Sequence, residues 1–242
     1  MKNFILNIKA YFQLLVMILL FVLISNSNHI FANQYSYIEN AAMTKRLSTM
    51  GYEEIADKDG VKVYKHKKSD IVKIAGETLI NFPAKVILDS VIDYEGQLGV
   101  VERVTTSKVL EKKDGYIFAY QHLNLPIISD RDYLLEVKYW EKDKVYFVQY
   151  DVSNKIKGPQ NKSGVVRIDF HSGLWQIMQL EDPQKSKVRF QVSVDMGGWL
   201  PKWLAKSGAG AEIPTLFNNI KIMINNKLEK QKKDSKNDIN AD

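Results

Sequence analysis

The sequence predicts an α+β domain in which one curved antiparallel sheet folds around a long C-terminal helix. Three observations predict it. Apolar residues alternate with a period of two through seven successive segments between Val100 and Met196. Polar turns such as Lys112-Lys113-Asp114-Gly115 and Lys142-Asp143 separate several of these segments and join them as antiparallel hairpins. Beyond Gly197-Gly198 the period becomes helical, with Ile213, Leu216, Phe217, Ile220, Met223, Ile224 and Leu228 on one stripe.

The elements follow in order. Residues 1–32 read as an export signal: Lys2 and Lys9 make a basic start, Ala10–Ile24 is apolar except for Gln13, and Ile30-Phe31-Ala32 offers cleavage after Ala32. The apolar run is short for a membrane span, which needs about 20 residues; an uncleaved N-terminal anchor is the alternative. Ile38–Met50 has the spacing of a short amphipathic helix stopped by Gly51. Val61–His66 and Ile71–Ile80 alternate as strands, and Pro83 opens a helix to about Ile92. The seven strands are expected at Val100–Glu111, Tyr116–Leu123, Asp132–Glu141, Val145–Asn154, Gly164–His171, Leu174–Glu181 and Lys187–Met196. Pro201–Lys206 reads as a helical turn, Ser207–Ala211 as a small-residue hinge, and Pro214 as the start of the last helix. The chain thus divides into a signal peptide or anchor at 1–32, one domain over 33–229, and a charged tail over 230–242 that is expected to be disordered.

Composition excludes much chemistry. Of 242 residues, 45% are hydrophobic and 26% charged, which suits a globular domain. Without cysteine there is no disulfide, thiolate zinc site, iron–sulfur cluster or thiol nucleophile. His29, His66, His122 and His171 are too scattered for metal-ligand spacing, so neither metal nor cofactor is expected. The formal charge of +6 drops to +4 without Lys2 and Lys9. That mild, interspersed charge allows weak attraction to an anionic membrane surface. It makes no basic stripe for nucleic acid. The leader places the chain in the periplasm or outside the cell.

Strand parity sorts the side chains by face. Tyr133, Leu135, Val137 and Tyr139 share one face, as do Tyr146, Val148, Tyr150 and Val152, and Val188, Phe190, Val192, Val194 and Met196. This apolar face belongs either to a packed core or to a hollow holding an apolar ligand, and alternation does not separate the two. Arg131 shares its parity, and a charge there costs several kcal/mol unless paired. Its partner is an acid such as Glu102 or the head group of a ligand. His122, in phase with Tyr116, Phe118 and Tyr120, is a second polar contact or a satisfied edge residue. Tyr120, Tyr139, Tyr150, Trp175 and Met178 are the candidate walls, although Trp175 and Met178 lie on opposite faces and at most one can line a cavity. Small residues at Gly197-Gly198 and Ser207–Gly210 flank a short apolar segment, as in a movable lid. Trp199, Leu200, Trp203, Phe217 and Ile220 are the candidate gate and membrane contacts, with packing of the helix onto the sheet as the alternative for both Trp.

Two segments carry a family resemblance. Leu125-Pro126-Ile127-Ile128-Ser129-Asp130-Arg131-Asp132-Tyr133-Leu134 and Asp195-Met196-Gly197-Gly198-Trp199-Leu200-Pro201-Lys202-Trp203-Leu204 together resemble the START family, the steroidogenic-acute-regulatory-protein-related lipid-transfer domains. Gly60-Val61-Lys62-Val63-Tyr64 is similar to an early strand of that family. Where the family often has Arg-x-x-Trp-Asp, this chain has Asp93-Tyr94-Glu95-Gly96-Gln97-Leu98-Gly99, without Trp. The resemblance implies a helix-grip fold with an apolar tunnel, gated by the C-terminal helix and a nearby loop. It implies a monomer that binds one sterol, phospholipid or similar lipid and touches membranes transiently, not an enzyme. A helix-grip enzyme, or a binder of a quinone or polyketide, is the alternative.

Overall fold

The computed structural model describes residues 47–69, 71–125, 128–160, 162–198 and 202–239, without the side chains of 202–209, 211 and 236–239. All belong to the unit Arg46–Asp242. The expected leader at 1–32 lies outside the described residues, as does the expected helix Ile38–Met50 up to residue 46. Leu47–Met50 form a 3-10 turn.

Among the described residues ten strands make one sheet in the order β1-β2-β3-β10-β9-β7-β6-β5-β4, with β8 beside β6. They are β1 Tyr52–Lys58, β2 Val61–His66, β3 Val72–Ile80, β4 Val104–Lys113, β5 Tyr116–Leu123, β6 Asp130–Lys142, β7 Val145–Val152, β8 Val165–Arg167, β9 Phe170–Gln179 and β10 Ser186–Asp195. All ladders are antiparallel except β6–β8. The topology turns on one long-range pairing: β3 lies against β10, Gly76 opposite Phe190.

Two helices sit on the inner face. α1, Ala84–Val91, follows Pro83, whose side chain cannot cap it. The cap comes from far along the chain, since the Ala84 N–H donates to Gln179 Oε1 at 2.8 Å. α1 packs on β7 and β9. α2, Lys202–Ile239, is a single helix of 38 residues with Pro214 inside it. It packs on β1, β2, β3 and α1. Gly76 makes that approach possible: a Cβ there would collide with Ile213 and stand 2.8 Å from Phe217 Cε2. Lys227 Nζ then pins α2 to the end of α1, 2.7 Å from Asp93 Oδ2.

Several expectations are corrected. The hinge at Ser207–Ala211 is helical, and Pro214 does not open the helix. Proline's ring opposes the carbonyl four residues back, which here belongs to Gly210, against which Ile55 packs. The stripe Ile213, Phe217, Ile220, Met223 and Ile224 is buried on both sides of Pro214 and holds the helix together. The tail expected to be disordered is helical as far as Ile239. Its Lys, Glu and Gln residues are good helix formers, and Glu229 and Lys233 stand one turn apart. The segment Gly164–His171 splits: β8 is only three residues, and His171 belongs to β9. β1 was not anticipated. Only Tyr52 of its seven residues is buried, so it lacks the alternation that marks a strand.

Candidate functional site

The inner face is the one that meets the helices. Ile117, Ala119 and Gln121 of β5 lie on it, opposite Val137, Leu135 and Tyr133 of β6. So do Val148 and Tyr150 of β7, Trp175 and Ile177 of β9, and Val188 and Phe190 of β10, all buried. Trp175 stacks on Phe190 with centroids 4.3 Å apart and meets Phe217 of α2 edge-on at 5.8 Å. Tyr139 lies partly buried at the far end of β6.

Inside this apolar surface lies a polar patch. The Tyr150 hydroxyl is 3.2 Å from His171 Nε2, and the His171 ring meets both Tyr150 and Tyr133 edge to face. Gly173 makes room for the Tyr150 ring, because a Cβ there would collide with Tyr150 Cζ. Tyr133 donates to Gln121 Oε1 at 2.9 Å. The Gln121 amide donates to Gln97 Oε1 at 2.8 Å and to Ser107 Oγ at 2.9 Å. Ser107 in turn donates to the Tyr94 carbonyl. Burial pulls His171 down to about 4 and pushes Tyr94, Tyr133 and Tyr150 up, so every member is uncharged at neutral pH.

Arg131 is 1% exposed. Its expected partner Glu102 is exposed and plays no part. Instead Nε donates to the Met196 carbonyl at 3.2 Å, Nη2 to Gly197 at 3.0 Å and Nη1 to Ser129. No described carboxylate forms an ion pair with it, and burial lowers its pKa. Arg131 thus clamps the start of β6 to the end of β10.

Tyr120, His122 and Met178 are corrected: they face the other side of the sheet. Tyr120 donates to Asp132 Oδ2 at 3.1 Å, and burial, then the Asp132 charge, raise it to about 12. Asp132 is 2% exposed and bidentate with Arg167, at 2.8 and 2.6 Å, which raises the Arg167 pKa and fastens β8 to β6. His122 binds Thr105 Oγ1 through Nδ1 at 2.8 Å and lies 3.4 Å from Asp130 Oδ2. Met178 pairs with Val145 and Lys187 on that face. The inner row of β5 is the plainer one, Ile117, Ala119 and Gln121, so aromatic content misled where parity alone was neutral. Phe217 and Ile220, expected at the gate, are buried against the sheet. Trp199, Leu200 and the Trp203 side chain lie outside the described residues. Among the described residues no cluster of His, Asp and Glu could hold a metal.

No family model matches the chain, and no curated protein matches it by sequence. Solved structures do match in shape. Human STARD10 superposes with a TM-score of 0.68 at 18% identity, over 76% of this chain and 77% of its own. The STAR-related lipid transfer protein of Xanthomonas axonopodis gives 0.60 at 22% identity, over 73% and 98%. Human StAR-related lipid transfer protein 5 gives 0.60 at 15%, over 80% and 98%. With a ten-stranded antiparallel sheet closed over a C-terminal helix, the chain has the START-type helix-grip fold.

Proposed function

We propose that the chain holds a single lipid, such as a sterol or phospholipid, between the inner sheet face and α2, and carries it between membranes outside the cytoplasm. The observation that carries this reading is the division of labour between the helices. α2 packs on β1–β3 and α1 packs on β7 and β9. The inner rows of β5 and β6 take main contacts from neither, yet Ile117, Ala119, Leu135 and Val137 are buried beside the polar patch of Gln121 and Tyr133. Two of the structures of like shape are named as lipid-transfer proteins, and the apolar N-terminal run supports export.

The energetics suit a carrier. Each buried methylene gains about 0.8 kcal/mol, so a chain of roughly 16 gains about 13 kcal/mol, and a bilayer offers the same. Escape into water is then negligible and exchange takes place at a membrane surface. The test is movement of a fluorescent sterol or phospholipid from donor to acceptor vesicles. Acceleration in proportion to added protein is expected. No acceleration for any lipid offered would sink the carrier reading, and chemical turnover of the bound lipid would favour an enzyme.

A further inference from the structure

The polar patch has two branches, and they differ in completeness. In the Tyr133–Gln121–Ser107 branch every hydrogen has an acceptor: Tyr133 gives to Gln121, the Gln121 amide gives to Gln97 and Ser107, and Ser107 gives to the Tyr94 carbonyl. The Tyr150–His171 branch comes out one acceptor short. The neutral pair has two hydrogens to donate, one on the phenol and one on the imidazole. If Tyr150 donates to Nε2, the ring proton sits on Nδ1, which is sealed from solvent and has no partner among the described residues. If Nε2 donates to Tyr150, the phenol hydrogen is stranded instead and Nδ1 is an unmet acceptor. Either tautomer leaves a buried donor without an oxygen to meet it, and buried polar groups are rarely left so.

The charge around the pair is as telling. Each Arg131 nitrogen is held by a backbone carbonyl. Arg167 is on the opposite face, bound to Asp132. His171 itself stays neutral because of its burial. No described cation is left to meet a phosphate or carboxylate sunk into this patch, and an unpaired anion there would be costly.

Resting on the lipid-carrier reading, we propose that Tyr150 and His171 form the head-group subsite and that it takes a neutral lipid. The polar end of that lipid is an uncharged oxygen, a hydroxyl, ketone or ester carbonyl, that accepts the stranded hydrogen. Sterols, quinones and acylglycerols have such an end. Lipids whose buried end is a phosphate, sulfate or free carboxylate do not. Gly173 belongs to the subsite as the gap that seats the Tyr150 ring.

The test uses the full chain and probes that differ only in head charge. Cholesterol competes with cholesteryl sulfate, and dioleoylglycerol with dioleoylphosphatidic acid, each pair equimolar in phosphatidylcholine vesicles. The protein is recovered by gel filtration and its lipid extracted and counted. The neutral member is expected to exceed the charged one about tenfold or more in at least one pair. His171→Phe is expected to cut neutral-probe binding about tenfold, the loss of one buried hydrogen bond. It should change the melting temperature little, because the stranded imidazole hydrogen is exchanged for one on the Tyr150 hydroxyl, which loses its Nε2 partner. Tyr150→Phe is the second variant and should cut the same probe. Equal or better binding of the charged members overturns the neutral subsite while leaving the carrier reading in place. So does undiminished binding in both variants. If none of the four probes nor the vesicle phospholipid is bound, both readings fall.

Discussion

His171 carries its own pH dependence. Its pKa is about 4 in the fold and about 6.5 unfolded. The unfolded chain therefore takes up a proton between those values while the folded chain does not. This contribution to stability is whole above pH 6.5, shrinks as the pH falls, and is gone below 4, a change of roughly 3 kcal/mol. Urea unfolding at pH 7 and pH 4.5 should show wild type losing more stability than His171→Phe. Equal losses would mean that His171 is not shielded. Arg131 makes a different prediction. Its guanidinium holds three carbonyls at the start of β6 and the end of β10, so Arg131→Leu leaves buried acceptors unmet and should destabilise by about 2–4 kcal/mol. Arg131→Lys should recover little, having one compact head where a fork is needed. Full stability in Arg131→Leu, measured by chemical denaturation, would contradict the clamp. The segment Arg131-Asp132-Tyr133 shows why one reading of parity was enough here: Arg131 and Tyr133 turn inward and Asp132 outward to Arg167, as alternation requires.

At the scale of elements, legibility follows how much of each strand is buried. β5 was anticipated at its observed bounds, and β6, β7 and β10 to within two residues, because half of each faces the core. β1 escaped notice as an exposed edge. Ser172-Gly173 looked like the break between two strands, yet it lies inside β9, where Gly173 admits the Tyr150 ring. The sequence pattern therefore assigns His171 to another strand, and no spacing in the sequence encodes its pairing with Tyr150. The helix–sheet contact gives a sharp test. Gly76→Val would drive a side chain into Ile213 and Phe217 and should cost at least about 1–3 kcal/mol. Pro214→Ala should act the other way, restoring a helix hydrogen bond and adding about 1–3 kcal/mol. A rise in melting temperature for the first, or a fall for the second, would contradict the placement of α2.

For the whole molecule, the order of strands followed by a long helix was enough to fix the architecture, since few arrangements cover one apolar sheet face with one apolar helix stripe. The interior was harder to read. Apolar alternation looks the same whether side chains meet each other or a guest, and the polar patch joins β4, β5, β6, β7, β9 and the Tyr94–Gln97 turn across long stretches of sequence. The proposed function requires that this interior be built around a lipid. Native mass spectrometry of the full chain, purified from cells without detergent, tests it most directly. One added mass per chain is expected, lost on denaturation and identified in the extract as a lipid. A chain that flies bare, and stays bare after incubation with membrane vesicles, would contradict it.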